Sequence, residues 1–159
     1  MRRVLALMAV VLVTTGGVLS GVERGNRLFR AGKYEEAAAE YREALRDGRD
    51  NPRLRYNLGT ALLRLGRYPE AQEHLEAALA AVDPELRQYV HYNLGQRFLE
   101  EARASRDPQA QASLYDAAVE AYRQTLRLRP GDTDAKWNYE LALQEREQAM
   151  QQQGGGGGG

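Results

Sequence analysis

The chain contains no cysteine. Disulfides, thiolate nucleophiles and lipid attachment through an N-terminal cysteine are thereby excluded, although the redox compartment stays open. Histidine is scarce: His74 and His91 are the only two, and they lack the His-x-x-x-His spacing of a helical metal site. His74 falls on what reads as an exposed helix. Serine is limited to Ser20, Ser105 and Ser113, so a nucleophile–base pair has little to be built from. An excess of either charge is also missing. Lys+Arg and Asp+Glu are equal at 22, and no Lys/Arg block occurs, which argues against nucleic acid. Acidic pairs such as Glu35-Glu36 and Glu100-Glu101 read as solvated helix faces. The expectation is a protein with no catalytic residue, no metal and no cofactor.

The two ends differ from the middle. Arg2 and Arg3 precede the uncharged apolar run Val4–Val13, and small residues with Val18-Leu19-Ser20 follow, the pattern of an export signal cut after Ser20 or Gly21. A retained anchor competes with that reading. Residues 4–22 carry no charge, and 19 residues at ~1.5 Å each nearly cross a ~30 Å hydrocarbon layer. Residues 1–21 are therefore a signal peptide or an anchor, and either one exports the rest; membrane contact is expected only through an uncleaved segment. At the other end, residues 151–159 hold three glutamines and six glycines with nothing apolar to bury, and are expected to be a flexible tail.

Self-similarity organises the middle. Tyr56-Asn57-Leu58-Gly59, Tyr92-Asn93-Leu94-Gly95 and Trp137-Asn138-Tyr139-Glu140 form one set. Gly32-Lys33-Tyr34-Glu35-Glu36-Ala37 and Gly66-Arg67-Tyr68-Pro69-Glu70-Ala71 form another, with Leu114-Tyr115-Asp116-Ala117-Ala118 as a third copy lacking the glycine; Ala37 and Ala71 are 34 residues apart. These residues resemble the tetratricopeptide repeat. Gly25, Gly59 and Gly95 take its first small position, Ala37, Ala71 and Ala118 its second, and Tyr41, Leu75 and Tyr122 its large position on the second helix. The resemblance implies an all-α, right-handed solenoid of antiparallel helix pairs. Close crossings of such helices need Gly or Ala independently of any family, because overpacking one costs about 1–3 kcal/mol.

Punctuation supports the same division. Asn51-Pro52, Asp83-Pro84 and Asp107-Pro108 each pair an N-cap with a proline at the first helical position, and Gly32, Gly48 and Gly66 fall at expected helix ends. The expected domain is residues 22–150: repeats at about 22–50, 52–83 and 84–130, then a capping helix over 132–150. The third repeat is extended, since Ala71 and Ala118 are 47 residues apart. A helix over 84–104, a loop over 105–108 and a returning helix over 109–129 are expected to project past the solenoid edge.

The family pattern places Tyr56, Tyr92 and Trp137 at equivalent positions of a concave groove, with Asn57, Asn93 and Asn138 beside them and Asn26, Thr60, Gln96 and Leu141 one turn further on. Aromatics offer contact area at low rotamer cost, and asparagine can bond a peptide backbone in either direction. The same ladder can equally reflect scaffold packing. The Lys/Arg clamp of chaperone-tail receptors is absent, since its positions hold Val22, Asn57, Tyr89 and Asn93. An export segment, Gly25-Asn26-Arg27-Leu28-Phe29, the closing run from Asp134 to Leu143 and a Gln-rich tail together resemble the repeat proteins of bacterial Bat (aerotolerance) operons. That resemblance implies a periplasmic or inner-membrane scaffold whose partners are von Willebrand factor A membrane proteins or a MoxR-type ATPase. The expected function is a protein-binding adaptor; the alternative is a structural solenoid that self-associates through the extended third repeat.

Overall fold

The computed structural model describes residues 20–154. The expectations for residues 1–19 and for the glycines at 155–159 lie outside them. Seven helices and no strand occur among the described residues: α1 (Gly21–Arg30), α2 (Tyr34–Arg46), α3 (Pro52–Arg64), α4 (Tyr68–Ala78), α5 (Pro84–Ala104), α6 (Pro108–Leu128) and α7 (Thr133–Gly154). The pairs α1/α2, α3/α4 and α5/α6 are three helical hairpins, and α7 closes the array.

Short polar side chains start most of these helices. Ser20 accepts from the Glu23 amide while the Glu23 carboxylate accepts from the Ser20 amide, a reciprocal capping box. Asn51, Asp83, Asp107 and Asp132 cap α3, α5, α6 and α7. Neither α2 nor α4 has a side-chain cap, and each starts directly from the turn closing its predecessor. In those turns Gly32 and Gly66 take φ of +75° and +70°, and the amides of Lys33 and Arg67 reach back to the carbonyls of Leu28 and Leu62. A side chain in that left-handed conformation is strained, which is why glycine sits there.

Each hairpin closes on a glycine. A Cβ on Gly25 would lie 2.5 Å from the Tyr41 ring, one on Gly59 2.8 Å from Leu75, and one on Gly95 2.8 Å from the Tyr122 ring. Ala37, Ala71 and Ala118 are fully buried at the partner crossings. In α7 the corresponding position is Glu140, which is exposed and paired with Lys136 at 4.0 Å. A carboxylate there suits a helix that takes no second helix behind it.

The surplus length of the extended hairpin has a neighbour in α7. Helices α5 and α6 have 21 residues each, against 13 and 11 in α3 and α4, and the second half of α7 lies along the surplus. Glu145 accepts two bonds from Arg103, at 2.6 and 2.8 Å, and a third from the Tyr115 hydroxyl at 3.4 Å. Arg146 pairs with Asp116 at 3.0 Å, and Ala142 and Ala149 pack into the cluster of Leu99, Ala102 and Tyr115. The tail expectation is corrected at its start: Gln151–Gly154 continue α7, and Gln151 bonds the Glu147 side chain one turn earlier at 3.3 Å. Glutamine is a good helix former, and the docked first turns of α7 supply the nucleus that a free tail would lack.

Candidate functional site

Helices α1, α3, α5 and α7 follow one another side by side and carry every residue expected in the groove. Asn26, Tyr56, Asn57 and Thr60 line a cavity of about 190 Å³, walled also by Phe29, Arg30 and Tyr41. Thr60, Asn93 and Gln96 border a smaller one of about 50 Å³ with Arg64. Tyr92 opens on a third, of about 310 Å³, beside the α6–α7 turn. Trp137 stands on α7 with 68% of its surface exposed, and Leu141 is half-buried one turn on. The expected ladder is thus distributed over successive small cavities rather than gathered into one.

The asparagines have a definite task in the scaffold. Asn57 donates its Nδ2 to Asn26 Oδ1 at 3.1 Å, and the Tyr41 hydroxyl donates to the same oxygen at 2.8 Å. Asn93 Nδ2 donates to Thr60 Oγ1 at 3.1 Å and to the Tyr56 hydroxyl at 3.3 Å, and Asn138 Nδ2 donates to the Tyr92 hydroxyl at 3.0 Å. Each asparagine thus ties its helix to the preceding groove helix. The expectation that these amides meet a partner's backbone in either direction is narrowed, because their donors are engaged within the fold and the Oδ1 atoms of Asn57, Asn93 and Asn138 are left to accept. Thr60 also donates to the Tyr56 carbonyl at 2.8 Å.

Burial pushes the Tyr41 hydroxyl up to about 12, with Arg30 acting in the opposite sense. Tyr92 is raised by burial and by the carboxylates of Asp134 and Asp132, while its bond to Asn138 lowers it. Both phenols are neutral donors or acceptors at any physiological pH. Tyr89 was seen in the sequence only as the lack of a clamp cation; in the structure its ring lies 6.5 Å from that of Tyr56 and its hydroxyl bonds Glu85 at 3.0 Å. Its position three residues before Tyr92, one helical turn, was the available signal. Arg30, Arg64 and Asp134 also border the cavities, and no spacing singled them out.

The histidines lie apart from the groove cavities. His74 is half-buried rather than exposed, and its Nδ1 sits 3.2 Å from Arg55 Nη1, a guanidinium that also holds Asp50. No group of three or more His, Cys, Asp or Glu side chains that could hold a metal occurs among the described residues.

The tetratricopeptide-repeat family model matches residues 22–85 and again 61–115, more than half of the chain. The chain belongs to the tetratricopeptide-repeat family, a class of typically non-catalytic protein-interaction scaffolds. No curated protein matches the chain significantly. Past residue 115 the same construction continues, since Gly95 meets Tyr122 as Gly25 meets Tyr41.

Proposed function

We propose that this chain is an adaptor whose groove holds an extended segment or helix of a partner protein. The observation that carries the reading is the face formed by α1, α3, α5 and α7, which offers aromatic rings, unused amide oxygens, three small cavities and a largely exposed Trp137. Large exposed aromatics beside hydrogen-bonding groups are typical of protein recognition surfaces. The test is affinity capture from crosslinked envelope extract with the native chain and a Trp137→Ala, Gln96→Ala variant. Those two side chains make no bond to another groove helix, so their loss should remove partners without unfolding the scaffold. Tyr56 and Tyr92 are poorer choices, because their hydroxyls hold Asn93 and Asn138. Identical capture by both chains sinks the groove.

The cellular setting we propose is the bacterial envelope, at the periplasmic face of the inner membrane. Its support is the basic and apolar N-terminal pattern together with the likeness to Bat-operon repeat proteins, which makes von Willebrand factor A membrane proteins or a MoxR-type ATPase system the partners to look for. The capping box bears on the leader. A cut after Ser20 or Gly21 removes the α1 cap, at a cost of about 1 kcal/mol, which favours a chain that keeps Ser20. Intact-mass measurement of the exported protein decides this directly. Self-assembly through the extended third repeat is the competing reading, and α7 already covers one face of that extension.

A further inference from the structure

The cavity at the α7 end of the groove differs chemically from the other two described above. About 310 Å³ in volume, it lies between the start of α5 and the α6–α7 turn, and Gln88, Tyr89, Tyr92, Arg129, Asp132 and Asp134 line it. Gln88 is only 3% exposed. Its Nε2 donates to Asp132 Oδ2 at 2.9 Å, whereas its Oε1 is buried and accepts from no donor among the described residues. A buried acceptor without a donor is costly, so an N–H or O–H that reached Gln88 from the cavity side would be stabilising there.

Charge narrows what that donor is. Asp132 and Asp134 stand on one side, with Glu85 held to the Tyr89 hydroxyl nearby, and the single opposing cation is Arg129, exposed and without an ion pair among the described residues. The field is felt at the rings: Asp134 and Asp132 help raise Tyr92, and Glu85 raises Tyr89. Two phenol rings flanked by carboxylates attract a cation through their faces as well as through the charges. The α1–α3 end of the groove differs in sign, since its cavity is bordered by Arg30 and by no carboxylate, and Arg30 makes no ion pair among the described residues; the small middle cavity is mixed, with Arg64, Arg97 and Glu100.

We infer that the cavity between α5 and the α6–α7 turn receives a lysine or arginine side chain of the partner segment, which fixes the direction in which that segment lies. The inference rests on the groove reading. A basic side chain offers a donor on the side of Gln88, finds the two carboxylates and two tyrosines that line the cavity, and is repelled at the opposite end by Arg30.

Trp137 is the only tryptophan and lies one turn from Asp134, so its fluorescence reports on this end of the groove. The probes are hexalysine, hexaglutamate and a neutral Gly/Ser hexapeptide, titrated at low salt. Hexalysine should give a saturable change and the other two none. Asp134→Lys should weaken hexalysine about tenfold, and Arg129→Gln should tighten it about threefold. Glu36→Lys, the same charge change on the exposed first turn of α2, should leave it within about twofold if the attraction is local. The inference is overturned if hexalysine gives no saturable signal, or if Asp134→Lys weakens it no more than Glu36→Lys does. The two readings fail separately. Capture lost with Trp137→Ala, Gln96→Ala while Asp134→Lys binds hexalysine normally leaves the groove and removes the cation site. Unchanged capture with a specific hexalysine site does the opposite.

Discussion

Tyr41 and Tyr122 occupy the same place in repeats one and three, each ring pressed on a glycine of the facing helix. Their hydroxyls differ. That of Tyr41 donates to Asn26, whereas that of Tyr122 is buried and has no partner among the described residues, because Gln96 stands where the first repeat has Asn26 and does not bond it. A satisfied buried hydrogen bond contributes about 1 kcal/mol, while an unsatisfied hydroxyl costs about that or more. Tyr41→Phe should therefore lower the unfolding free energy by about 1 kcal/mol, and Tyr122→Phe should leave it unchanged or raise it by up to about 1 kcal/mol, in paired urea titrations. A loss on Tyr122→Phe equal to that on Tyr41→Phe would mean an ordered water serves the buried hydroxyl. Gly95→Ala is the sharper change, since its methyl group would meet the Tyr122 ring at 2.8 Å; a loss of about 1–3 kcal/mol is expected. These glycines and the residues opposite them were legible in the sequence, because a crossing dictates size. Whether a particular hydroxyl finds a partner was not, since that depends on a side chain from another helix coming within about 3 Å.

Helix limits were readable to within a residue or two wherever a short polar residue precedes proline, as at Asn51-Pro52 and Asp83-Pro84. The end of α7 was not, because glutamine and glycine carry no marker for a helix held by distant contacts. Nor was the pairing of α3 with α4 at His74. That ring faces Arg55, which requires its Nδ1 to be an acceptor and hence the ring to be neutral. Burial first, then Arg55, lowers the pKa of His74; burial first, then Arg87, lowers that of His91. Both rings thus resist charging in the folded chain and charge freely in the unfolded one, near pH 6.5. Their contribution is complete above about pH 6.5 and is lost as pH falls through that value toward the depressed folded pKa values. The melting temperature should accordingly fall between pH 7 and pH 5, and His74→Gln, which keeps an acceptor for Arg55 but cannot charge, should flatten part of that fall. An unaltered pH profile in His74→Gln would assign the effect to His91 or to the carboxylates.

At the scale of the whole molecule, a solenoid has two ends and must cover both. The C-terminal end is closed by the first half of α7, where Ala135 is fully buried and Glu140 faces outward. The second half has a separate task, since the long α5/α6 hairpin extends past what a standard repeat can cover and its Leu99, Ala102 and Tyr115 would otherwise face water. Ending the chain after Leu143 removes Glu145, Arg146 and Ala149, and with them the contacts to Arg103, Tyr115 and Asp116. Helix α5 would keep its capped start and its packing against α6, so the repeats should remain helical by circular dichroism. The uncovered apolar strip should then seek a second copy, and the weight-average mass in sedimentation should rise with concentration more steeply than for the full chain. The double variant Arg103→Ala, Glu145→Ala, which removes the ion pair but leaves Ala142 and Ala149 in place, should sediment as the full chain does, because the exposed partner of such a pair contributes little and burial of the strip is retained. If the truncated chain shows no added association, the extension is stable uncovered, and its length is then free to serve as a docking arm of its own. If instead the full chain self-associates and truncation abolishes it, the second half of α7 is itself the contact between copies, and the solenoid would assemble through its cap rather than through the hairpin beneath it.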